Sequence, residues 1–464
     1  MATLLEKYSN RLAIAESYYA KQHDGAKMDN HRKLITARCL DNVNRFLAEA
    51  FENSVGTQRS DLGMWKKFCL NLSNVVVPNL IAPELVLTQP MSSMSGYITY
   101  IEYTAGTTKG GVNQGDYING VFKMGDMTEA RRNYTGTFIS ETAKVADGET
   151  STKLAWGPID TATIKVKVGG TDYTVVTGDV EPTAGQVHVT KEGVLTFADE
   201  VTEANVLYTY DNIVIPQNDL PVLNARVQSK ALVAKARRIA VYYSQIAAFQ
   251  AKTDYGFDLG DQLAEQAAGE LAYEIDSEVV NLLLTSAPED VTLTFDTNVP
   301  VGISRAQHYE AFAEVIEKAR AVVYNRTQKF MPNYMIVGAD MIPVLTFVTG
   351  FKAAPVNVVA GPYFAGTLNG MKVFVSPMLK TAENKSSFVI GVNGNDMMTS
   401  AAVYAPYMPI VPTQLLQYAD GGNSQGFSTM YALELLSTDE NGKSPLLVKG
   451  EITLGGGYHV PAQQ

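Results

Sequence analysis

The sequence predicts an α+β fold of several structural units, and three observations support this prediction. Residues 31–53 carry apolar side chains at helical spacing, which is typical of an amphipathic helix. Residues 146–212 contain short alternating segments separated by turn residues, the pattern of a small all-β domain. Helical and strand patterns then follow one another over residues 302–405, which indicates a mixed unit. A chain of 464 residues exceeds the size of one hydrophobic core, so we expect about two to four units.

The composition is that of a folded protein with an acidic surface. Hydrophobic residues make up 46% of the chain and charged residues 18%, as in globular domains. The net charge of −11 opposes binding to nucleic acid or to an anionic membrane. Residues 1–20 lack the apolar core of a signal peptide, and no apolar run has the length of a membrane span, so we expect neither export nor membrane insertion. The two cysteines, Cys39 and Cys69, are predicted to be free thiols.

The N-terminal residues 1–60 are predicted to form a helical arm. Within it, apolar residues such as Leu40, Val43 and Leu47 fall on one side of a helix over residues 31–53. A one-sided apolar stripe needs a partner. We therefore expect the arm to pack against the rest of the chain or against another chain.

Two further helices are predicted on either side of Gly256. Residues 223–253 have apolar side chains at helical spacing, and Gly256 is suited to end that helix. Asp258 is the predicted N-cap of the second helix. In this second helix, apolar residues recur every four positions over residues 259–283. The stripe therefore winds around the axis and should touch different neighbours along its length.

A long β-loop with a small domain inside it is predicted between these helical regions. Three prolines interrupt residues 75–90, which predicts extended chain rather than a helix or a central strand. Residues 96–103 alternate as a strand, and the glycine-rich sequence after them indicates an exposed loop. The Gly169-Gly170 pair lies between two alternating runs, so we predict a tight hairpin there. We expect residues 146–212 to form an all-β domain inserted in this loop.

Three prolines at a three-residue interval distinguish "VYAPYMPIVPTQLLQYADGG" (403–422). Pro406, Pro409 and Pro412 satisfy the spacing of a polyproline docking ligand. However, the segment is flanked by strand patterns and has no Lys or Arg over residues 401–420. We therefore interpret it as an extended crossing at a sheet edge, where missing N–H donors are tolerated.

No pattern in the sequence predicts catalysis or a bound cofactor. The histidines lack the spacing of metal ligands, and there is no G-x-S-x-G elbow and no Walker-type loop. Acidic residues near Asp258 lie at a helix start, where they complement the helix dipole without a bound cation. The basic run from Arg226 to Arg238 is more typical of a solvated or intersubunit face than of a polyanion site. We expect a structural protein rather than an enzyme, with no cofactor and no metal.

Three stretches of the sequence are distinctive when they are taken together and in order. They are "IAPELVLTQPMSSMSGYITYIEY" (81–103), the predicted helix pair in residues 231–283, and residues 389–436. These stretches resemble the major capsid proteins of contractile-tailed phages of the T-even type, members of the Hong Kong 97-like capsid fold. In that family the third stretch carries an aromatic-x-Pro-Tyr core and an apolar proline-containing run, which Tyr404, Pro406, Tyr407 and Pro409 match here.

The resemblance implies a division of the chain into the domains of that fold. The expected parts are a helical N-terminal arm (1–60), a peripheral domain with a long spine helix (61–95, 223–301 and 406–464), an extended β-loop (96–145 and 213–222), an inserted all-β domain (146–212) and an axial domain (302–405). In this division the three prolines mark the hinge between the axial and peripheral domains.

The resemblance also implies a function. The subunit would assemble into hexamers and pentamers of an icosahedral shell that encloses double-stranded DNA without reading its sequence. Assembly would take place in the host cytoplasm with scaffold, portal and decoration proteins, and the product would be the virion capsid. The expected assembly residues are Tyr97, Tyr100, Tyr103, Gly110 and Asn119 in the loop, and Tyr404, Pro406, Tyr407 and Pro409 at the return between domains. Leu47-Ala48-Glu49 matches the family's Leu/Ile-x-Glu maturation signal, so Glu49 is a candidate cleavage site.

Two other interpretations stay open at this point. An encapsulin-like nanocompartment shares the fold and encloses protein cargo, and the contents of purified particles would distinguish it from a viral shell. A surface adhesin or glycan-binding protein would use the inserted β domain, but it should carry an export signal. The chain length and the insertion favour the viral interpretation over the first, and the lack of a predicted signal disfavours the second.

Overall fold

The computed structural model describes most of the chain. The described residues are 2–22, 26–52, 80–108, 113–115, 134, 139–146, 148–209, 220–327, 330–355, 361–382, 384–394, 396–413, 415–436 and 442–455. The chain divides into two compact units: the first contains Met1–Tyr100 and Ser229–Gln464, and the second contains Ile101–Gln228.

Helices and strands are mixed, as the sequence predicts. The α-helices in the described part are α1 (Ala2–Lys7), α2 (Ser9–Gln22), α3 (Asn30–Glu52), α4 (Ala82–Leu85), α5 (Gln245–Gln250), α6 (Leu259–Ser286), α7 (Arg305–Glu310), α8 (Phe312–Thr327) and α9 (Ile342–Leu345). A π-helical turn, Ala251–Tyr255, follows α5.

The described strands form four sheets. They are β1 (Leu87–Thr88), β2 (Ser95–Ala105), β3 (Ile139–Lys144), β4 (Ser151–Lys153), β5 (Lys165–Val168), β6 (Thr171–Val176), β7 (Gln186–Val189), β8 (Val194–Phe197), β9 (Glu203–Tyr208), β10 (Leu223–Val233), β11 (Lys235–Ser244), β12 (Glu289–Asp296), β13 (Tyr334–Gly338), β14 (Phe351–Ala353), β15 (Tyr363–Leu368), β16 (Met371–Ser376), β17 (Lys380–Ala382), β18 (Lys385–Gly391), β19 (Ala402–Pro412), β20 (Leu416–Gln417), β21 (Gly422–Leu435) and β22 (Leu447–Thr453).

A five-stranded sheet in the first unit is covered on both faces. Its order is β1-β19-β21-β11, and β20 also pairs with β21. On one face, apolar residues of α6 such as Ala267 and Leu271 pack against Phe427. On the other face, the N-terminal helices α1 to α3 pack against Met408 and Val411. The predicted apolar stripe of the N-terminal arm therefore finds its partner within the chain.

The predicted helix over residues 223–253 is wrong for most of its length. The chain forms the two strands β10 and β11 there, and only Gln245–Gln250 is α-helical. Along β11, Ile239 and Val241 pack towards α6, whereas Ala240 and Tyr242 are exposed. This period-two alternation is that of a strand, and antiparallel pairing with β21 along all of β11 fixes it.

The break and the second helix are confirmed. Gly256 has φ +74°, the left-handed conformation that ends a helix. Asp258 Oδ1 accepts a hydrogen bond from Gly260 N at 2.9 Å, as expected of an N-cap. The helix that follows, α6, runs from Leu259 to Ser286.

Residues 80–90 also differ from the prediction of extended chain. A single helical turn, α4, forms with Pro83 in its first turn. Proline is tolerated in the first turn because the N–H group it lacks would have no partner inside the helix. A helix, which the three prolines were predicted to exclude, is therefore present in this segment, although it is only one turn long.

The first unit also contains an eight-stranded sheet. Its order is β12-β22-β18-β13-β16-β15-β14, with β17 paired to β18. The predicted strand at residues 334–338 is buried at every position, and the predicted helix over residues 305–324 appears as α7 and α8. Strands β12 and β22 also belong to this sheet, although the sequence division places both in the peripheral domain. They join it because β22 pairs with β18 along its whole length and with β12 on its other side.

The second unit contains a seven-stranded sheet with its own apolar core. The order is β3-β9-β5-β6-β7-β8-β4, and the core includes Ile159, Val187 and Leu195. The predicted hairpin at Gly169-Gly170 connects β5 to β6, and both glycines have positive φ. The sheet begins at Ile139, before the predicted boundary at residue 146, because β3 pairs with β9 along its whole length.

Glu141 joins the two ends of this sheet. Its carboxylate accepts hydrogen bonds from Ala155 N at 3.0 Å and from the hydroxyl of Tyr208 at 2.8 Å. Nearby, Thr152 Oγ1 of β4 donates to the carbonyl of Lys144 in β3 at 2.8 Å. These side-chain contacts bring the edge strands β3 and β4 together.

We expect Glu141→Ala to destabilise the seven-stranded sheet by about 1–3 kcal/mol, because it removes the acceptor of a buried hydroxyl and of a backbone N–H. The matched control is Glu149→Ala, whose side chain is exposed and whose loss should change stability by less than about 0.5 kcal/mol. Hydrogen exchange over residues 139–208 at increasing urea measures both. Equal exchange in the two variants would show that the hydrogen bonds of Glu141 to Ala155 and Tyr208 do not stabilise the sheet.

Candidate assembly surfaces

Strands β2 and β10 form a two-stranded ribbon. Ala234 N donates to the carbonyl of Met94 at 2.8 Å, and Gly106 N donates to the carbonyl of Val222 at 2.7 Å. Met94, just before β2, thus lies beside Ala234, just after β10, and Gly106, just after β2, lies beside Val222, just before β10. The two strands are therefore antiparallel. A ribbon of two strands is marginal by itself and needs something to pack against.

One face of strand β2 is exposed and apolar. Tyr97 is 75% exposed, Ile101 46% and Tyr103 40%. These residues are two or four positions apart, so they share one face of the strand. Their partner strand adds Val227 and Val233, which are 66% and 62% exposed. Large apolar side chains that line one face and point into water mark an interaction surface.

The structure separates the predicted loop residues into three groups. Tyr97 and Tyr103 lie on this exposed face. Tyr100 lies on the other face, where it packs against a core cluster that includes Ile98. The period of two in a strand explains the difference, because Tyr100 has the opposite parity to the other two tyrosines. The remaining predicted residues, Gly110 and Asn119, lie outside the described part of the chain.

The second set of predicted residues lies inside the five-stranded sheet. Tyr404, Pro406 and Pro409 in β19 are buried, and Tyr407 is half-buried. None of the three buried residues can contact a second chain directly in this structure. A polyproline ligand has to be exposed, so the docking interpretation does not fit.

The pairing of β19 agrees with the prediction that the prolines lie at a sheet edge, because β1 pairs with Val403 and Tyr404 only, and beyond them no strand in the described part of the chain pairs with that side of β19. Strand β19 has β21 on one side and β1 on the other. The pairing with β1 stops at Tyr404, and beyond it the carbonyl of Pro406 accepts a hydrogen bond from Met91 N at 2.9 Å. In a strand, the N–H and C=O of one residue point to the same side, so the donor that Pro406 lacks faces the irregular side. Register shifts on either side of Met408 accommodate the prolines against β21.

The chain crosses between the two sheets of the first unit before these prolines. Strand β18 of the eight-stranded sheet ends at Gly391, and β19 of the five-stranded sheet begins at Ala402. The connecting residues 392–401 are therefore the crossing, and Pro406 lies well inside the second sheet.

A further apolar surface follows strand β11. Ile246, Phe249 and Tyr255 are 74%, 71% and 76% exposed, and α5 has no buried residue. This surface was not predicted from the sequence, because the segment was interpreted as part of a long helix over residues 223–253. The side chain of Ser244 caps α5, and serine is a common N-cap residue. A helix predicted to begin there would have placed Ile246 and Phe249, three positions apart, on one helix face.

The N-terminal helices bury the candidate cleavage signal in part. Leu47 is fully buried in the cluster that joins α3 to the five-stranded sheet, and the backbone of Glu49 is helical. Asn42 on the same helix donates hydrogen bonds of 2.7 Å to the carbonyls of Met91 and Tyr407. Cys39 is also fully buried, and burial raises the pKa of its thiol to about 12, so the thiol is unreactive while the arm is docked.

The described residues offer little for small-molecule chemistry. Within them, there is no group of three or more His, Cys, Asp or Glu side chains that could hold a metal ion. No helix among the described residues is long and apolar enough to cross a membrane. What the described surface does offer is exposed apolar faces, the property of a protein that associates with other protein chains.

Comparison with known proteins gives a consistent result. A family model described as "Major capsid protein Gp23" matches residues 62–448. The chain is 25% identical to the major capsid protein of Enterobacteria phage T4 over 394 residues, which cover 77% of this chain and 72% of the relative. It is 23% identical to the major capsid protein of Vibrio phage KVP40 over 397 residues, which cover 77% of this chain and 74% of the relative.

Among solved structures, the chain resembles the capsid of Myoviridae phage XM1. The TM-score is 0.34 at 10% identity, and the match covers 73% of this chain and 90% of that chain. A TM-score this low carries no argument about the fold. The family assignment therefore rests on the sequence match.

The family model covers most of the chain, so the chain belongs to the Gp23 family of major capsid proteins. It is a major capsid protein of a tailed bacteriophage and a component of the virion capsid. The resemblance to T-even capsid proteins is thereby confirmed. The match favours neither the encapsulin-like nor the adhesin interpretation.

Proposed function

We propose that the exposed apolar face of the β2 and β10 ribbon is a contact between subunits of the shell. The observation that carries this proposal is the exposure of Tyr97, Ile101 and Tyr103 together on one side of a single strand. Burying an aromatic or large aliphatic side chain contributes about 1.5–3 kcal/mol. Three such side chains per subunit, repeated over a closed lattice, suffice to hold a shell of individually weak contacts.

The wider architecture is part of the same proposal. The subunits have a Hong Kong 97-like fold, in which the eight-stranded sheet is the axial domain, the five-stranded sheet with α6 is the peripheral domain, and the seven-stranded sheet is an inserted domain of the extended loop. They form hexamers and pentamers of an icosahedral shell around double-stranded DNA. The net charge of −11 supports enclosure without tight binding of the DNA.

Partners and processing extend the proposal. Scaffold, portal and decoration proteins join the subunit during assembly in the host cytoplasm. Cleavage after Glu49 would need an extended substrate, but Leu47 is buried in the docked helix. The N-terminal helices would therefore have to undock before a protease could cut there. The buried residues Tyr404, Pro406 and Pro409 affect assembly indirectly, by fixing the path of β19.

We expect replacement of Tyr97, Ile101 and Tyr103 by serine in one variant to lower the yield of closed shells at least tenfold. The change removes apolar area that is solvent-exposed in the subunit and buried only on assembly, so the melting temperature of the unassembled subunit should stay within a few degrees of the parent. Sedimentation and negative-stain microscopy measure the shells, and circular dichroism measures the melting temperature.

The matched control is Val180→Ser, which also removes an exposed apolar side chain, 54% exposed, but from a segment outside strands β2 and β10. It should assemble like the parent. Shells at parental yield from the triple variant would refute the ribbon contact. If the parent itself formed no shells in the presence of its scaffold, the shell function would fail. Protein cargo instead of nuclease-protected DNA in native particles would point to the encapsulin-like alternative.

A further inference from the structure

The five-stranded sheet has an uncovered apolar corner. Ser424 of β21 pairs with Tyr242 of β11 on one side and with Leu416 of β20 on the other. Paired residues of neighbouring strands point to the same face of a sheet, so these three side chains form a row. The N-terminal helices cover this face further along β21, at Met430. The row itself stays open to water, since Tyr242 is 60% exposed and Leu416 57%.

The turn after β20 places a second aromatic ring beside this row. The ring centroid of Tyr418 lies 6.4 Å from that of Tyr242, and Tyr418 is 49% exposed. The hydroxyl of Tyr242 donates to Asp420 Oδ2 at 3.2 Å, and Asp420 Oδ1 accepts from Gly422 N at 2.9 Å. These contacts hold both rings in place although they face water. Side chains that are ordered in advance lose less conformational entropy when a partner binds them.

Helix α5 adds two large apolar side chains next to this turn. Gln245 N, at the start of α5, donates to the carbonyl of Gly421 at 2.9 Å, so the helix begins beside the turn. Ile246 and Phe249 are 74% and 71% exposed, and they share one face of the helix because they are three positions apart. The tip surface, as we call it, consists of Tyr242, Ile246, Phe249, Leu416 and Tyr418.

The two segments that form the tip surface carry almost no charge. Residues 239–251 contain no charged side chain, although none of residues 239–250 is buried. In residues 413–422, Asp420 is the one charged residue, and its carboxylate accepts the two hydrogen bonds given above. Contacts between protein chains are depleted of charge and enriched in tyrosine and phenylalanine at their centres. An exposed surface with this composition is therefore typical of such a contact.

We propose that the tip surface joins neighbouring rings of the shell by binding the tip surface of a second copy of this chain. The inference rests on the proposed assembly of hexamers and pentamers. A head-to-tail contact that repeats around a ring is fully used once the ring closes. A different contact must then connect one ring to the next. The tip surface and the ribbon face belong to different strands, so one subunit can use both.

Symmetry and charge explain why the tip surface binds its own copy. A symmetry axis that relates two or three rings brings the same residues of each subunit together. The chain has a net charge of −11, so most pairs of identical surfaces would place like charges opposite each other, which is costly. Two tip surfaces avoid this cost because they are nearly uncharged, and they bury apolar area from both copies.

Opposite charges at Phe249 test whether the tip surface meets itself. We expect Phe249→Asp alone and Phe249→Lys alone each to lower the yield of closed shells by about tenfold or more, because each places like charges in an apolar contact. Rings should still form. An equal mixture of the two variants should recover a yield within about threefold of the parent, since opposite charges then face each other. Sedimentation and negative-stain microscopy in the presence of the scaffold measure rings and shells.

Val180→Asp and Val180→Lys are the matched controls, because they place the same charges at an exposed position outside the tip surface. Each should assemble like the parent. Parental shell yield from Phe249→Asp, single subunits in place of rings, or no recovery in the mixture would overturn the inference and leave the ribbon contact unaffected. If the parent formed no shells, the proposed shell function would fail and this inference with it.

Photo-crosslinking supplies a second measurement that needs no charged variant. A photoreactive benzoylphenylalanine replaces Phe249 in the full-length chain, and assembled shells are irradiated. We expect a covalent dimer in which both joined peptides come from residues 239–255 or 413–422, and no such dimer from the unassembled subunit. A crosslink to another part of a neighbouring chain, or to a different protein of the particle, would overturn the inference.

Discussion

Gly450→Ala should lower the free energy of unfolding by about 3 kcal/mol, the upper end of the usual cost of overpacking a core, or prevent the eight-stranded sheet from forming. Gly450 lies in β22 directly opposite Phe388 of β18. A Cβ atom at this position would overlap the ring of Phe388 and lie 2.7 Å from the carbonyl oxygen of Leu293. Neither group can move away, because the ring is fully buried and the carbonyl belongs to strand β12. Soluble yield and the urea midpoint measure the effect.

Gly269→Ala is the control for this substitution. Gly269 lies within α6, and a Cβ atom there would meet nothing within 4 Å. Alanine in a helix interior is favoured over glycine by about 0.5–1 kcal/mol, so this variant should be slightly more stable than the parent. If Gly450→Ala kept the parental urea midpoint, the close approach of β22 to Phe388 would be disproved.

Phe312→Ala should lower the free energy of unfolding by about 3–5 kcal/mol, the usual loss for a buried aromatic residue. Phe312 is fully buried at the start of α8. Its ring centroid lies 4.9 Å from that of Phe295 and 5.8 Å from that of Phe388, the latter in an edge-on arrangement. Removing the ring leaves a cavity between α8 and the eight-stranded sheet. Denaturant unfolding monitored by circular dichroism measures the loss.

Phe347→Ala provides the comparison, because it deletes the same side chain from the surface. Phe347 is 47% exposed and touches Tyr309 at a centroid distance of 5.7 Å. We expect it to cost less than about 1.5 kcal/mol, close to the value of one aromatic contact. Equal losses in the two variants would show that Phe312 is not central to the packing of α8.

Local patterns in the sequence predict the parts of this fold that local interactions determine. The Gly169-Gly170 hairpin, the break at Gly256 and the cap at Asp258 each depend on a few neighbouring residues. Their conformations follow from backbone sterics and from side-chain hydrogen bonds to nearby N–H groups. The all-β segment was recognisable for the same reason, since short alternating runs with turn residues between them have few other solutions.

The segment 223–253 shows what local patterns do not determine. Its residues allow a helical stripe as well as a strand alternation of Ile239, Val241 and Tyr243. The observed strands are selected by distant partners, because β11 pairs with β21, which lies almost two hundred residues further along the chain. Tertiary pairing overrides a weak helical preference. The composition of the exposed ribbon face was hidden by the same error, because Val227 and Val233 lie in the segment predicted as helix.

The candidate surface was predictable only where alternation was already clear. Tyr97 and Tyr103 were found with the strand that carries them, and parity alone could have separated them from Tyr100. The buried position of Tyr404 and Pro406 could not be read from the sequence. It depends on the N-terminal helices covering one face of β19, and nothing local to β19 reports their presence.

The position of β22 has a consequence for the order of events during synthesis. This strand lies between β12 and β18, yet it follows both of them in the chain. Until the ribosome has synthesised β22, the place between β12 and β18 is empty, and β12 lacks the strand with which it pairs in the described structure. All strands of the seven-stranded sheet lie between Ile139 and Tyr208, so this sheet can form as soon as that segment has been synthesised. The nascent chain should therefore complete the second unit first and carry an unfinished sheet edge, open to wrong pairing, until β22 emerges.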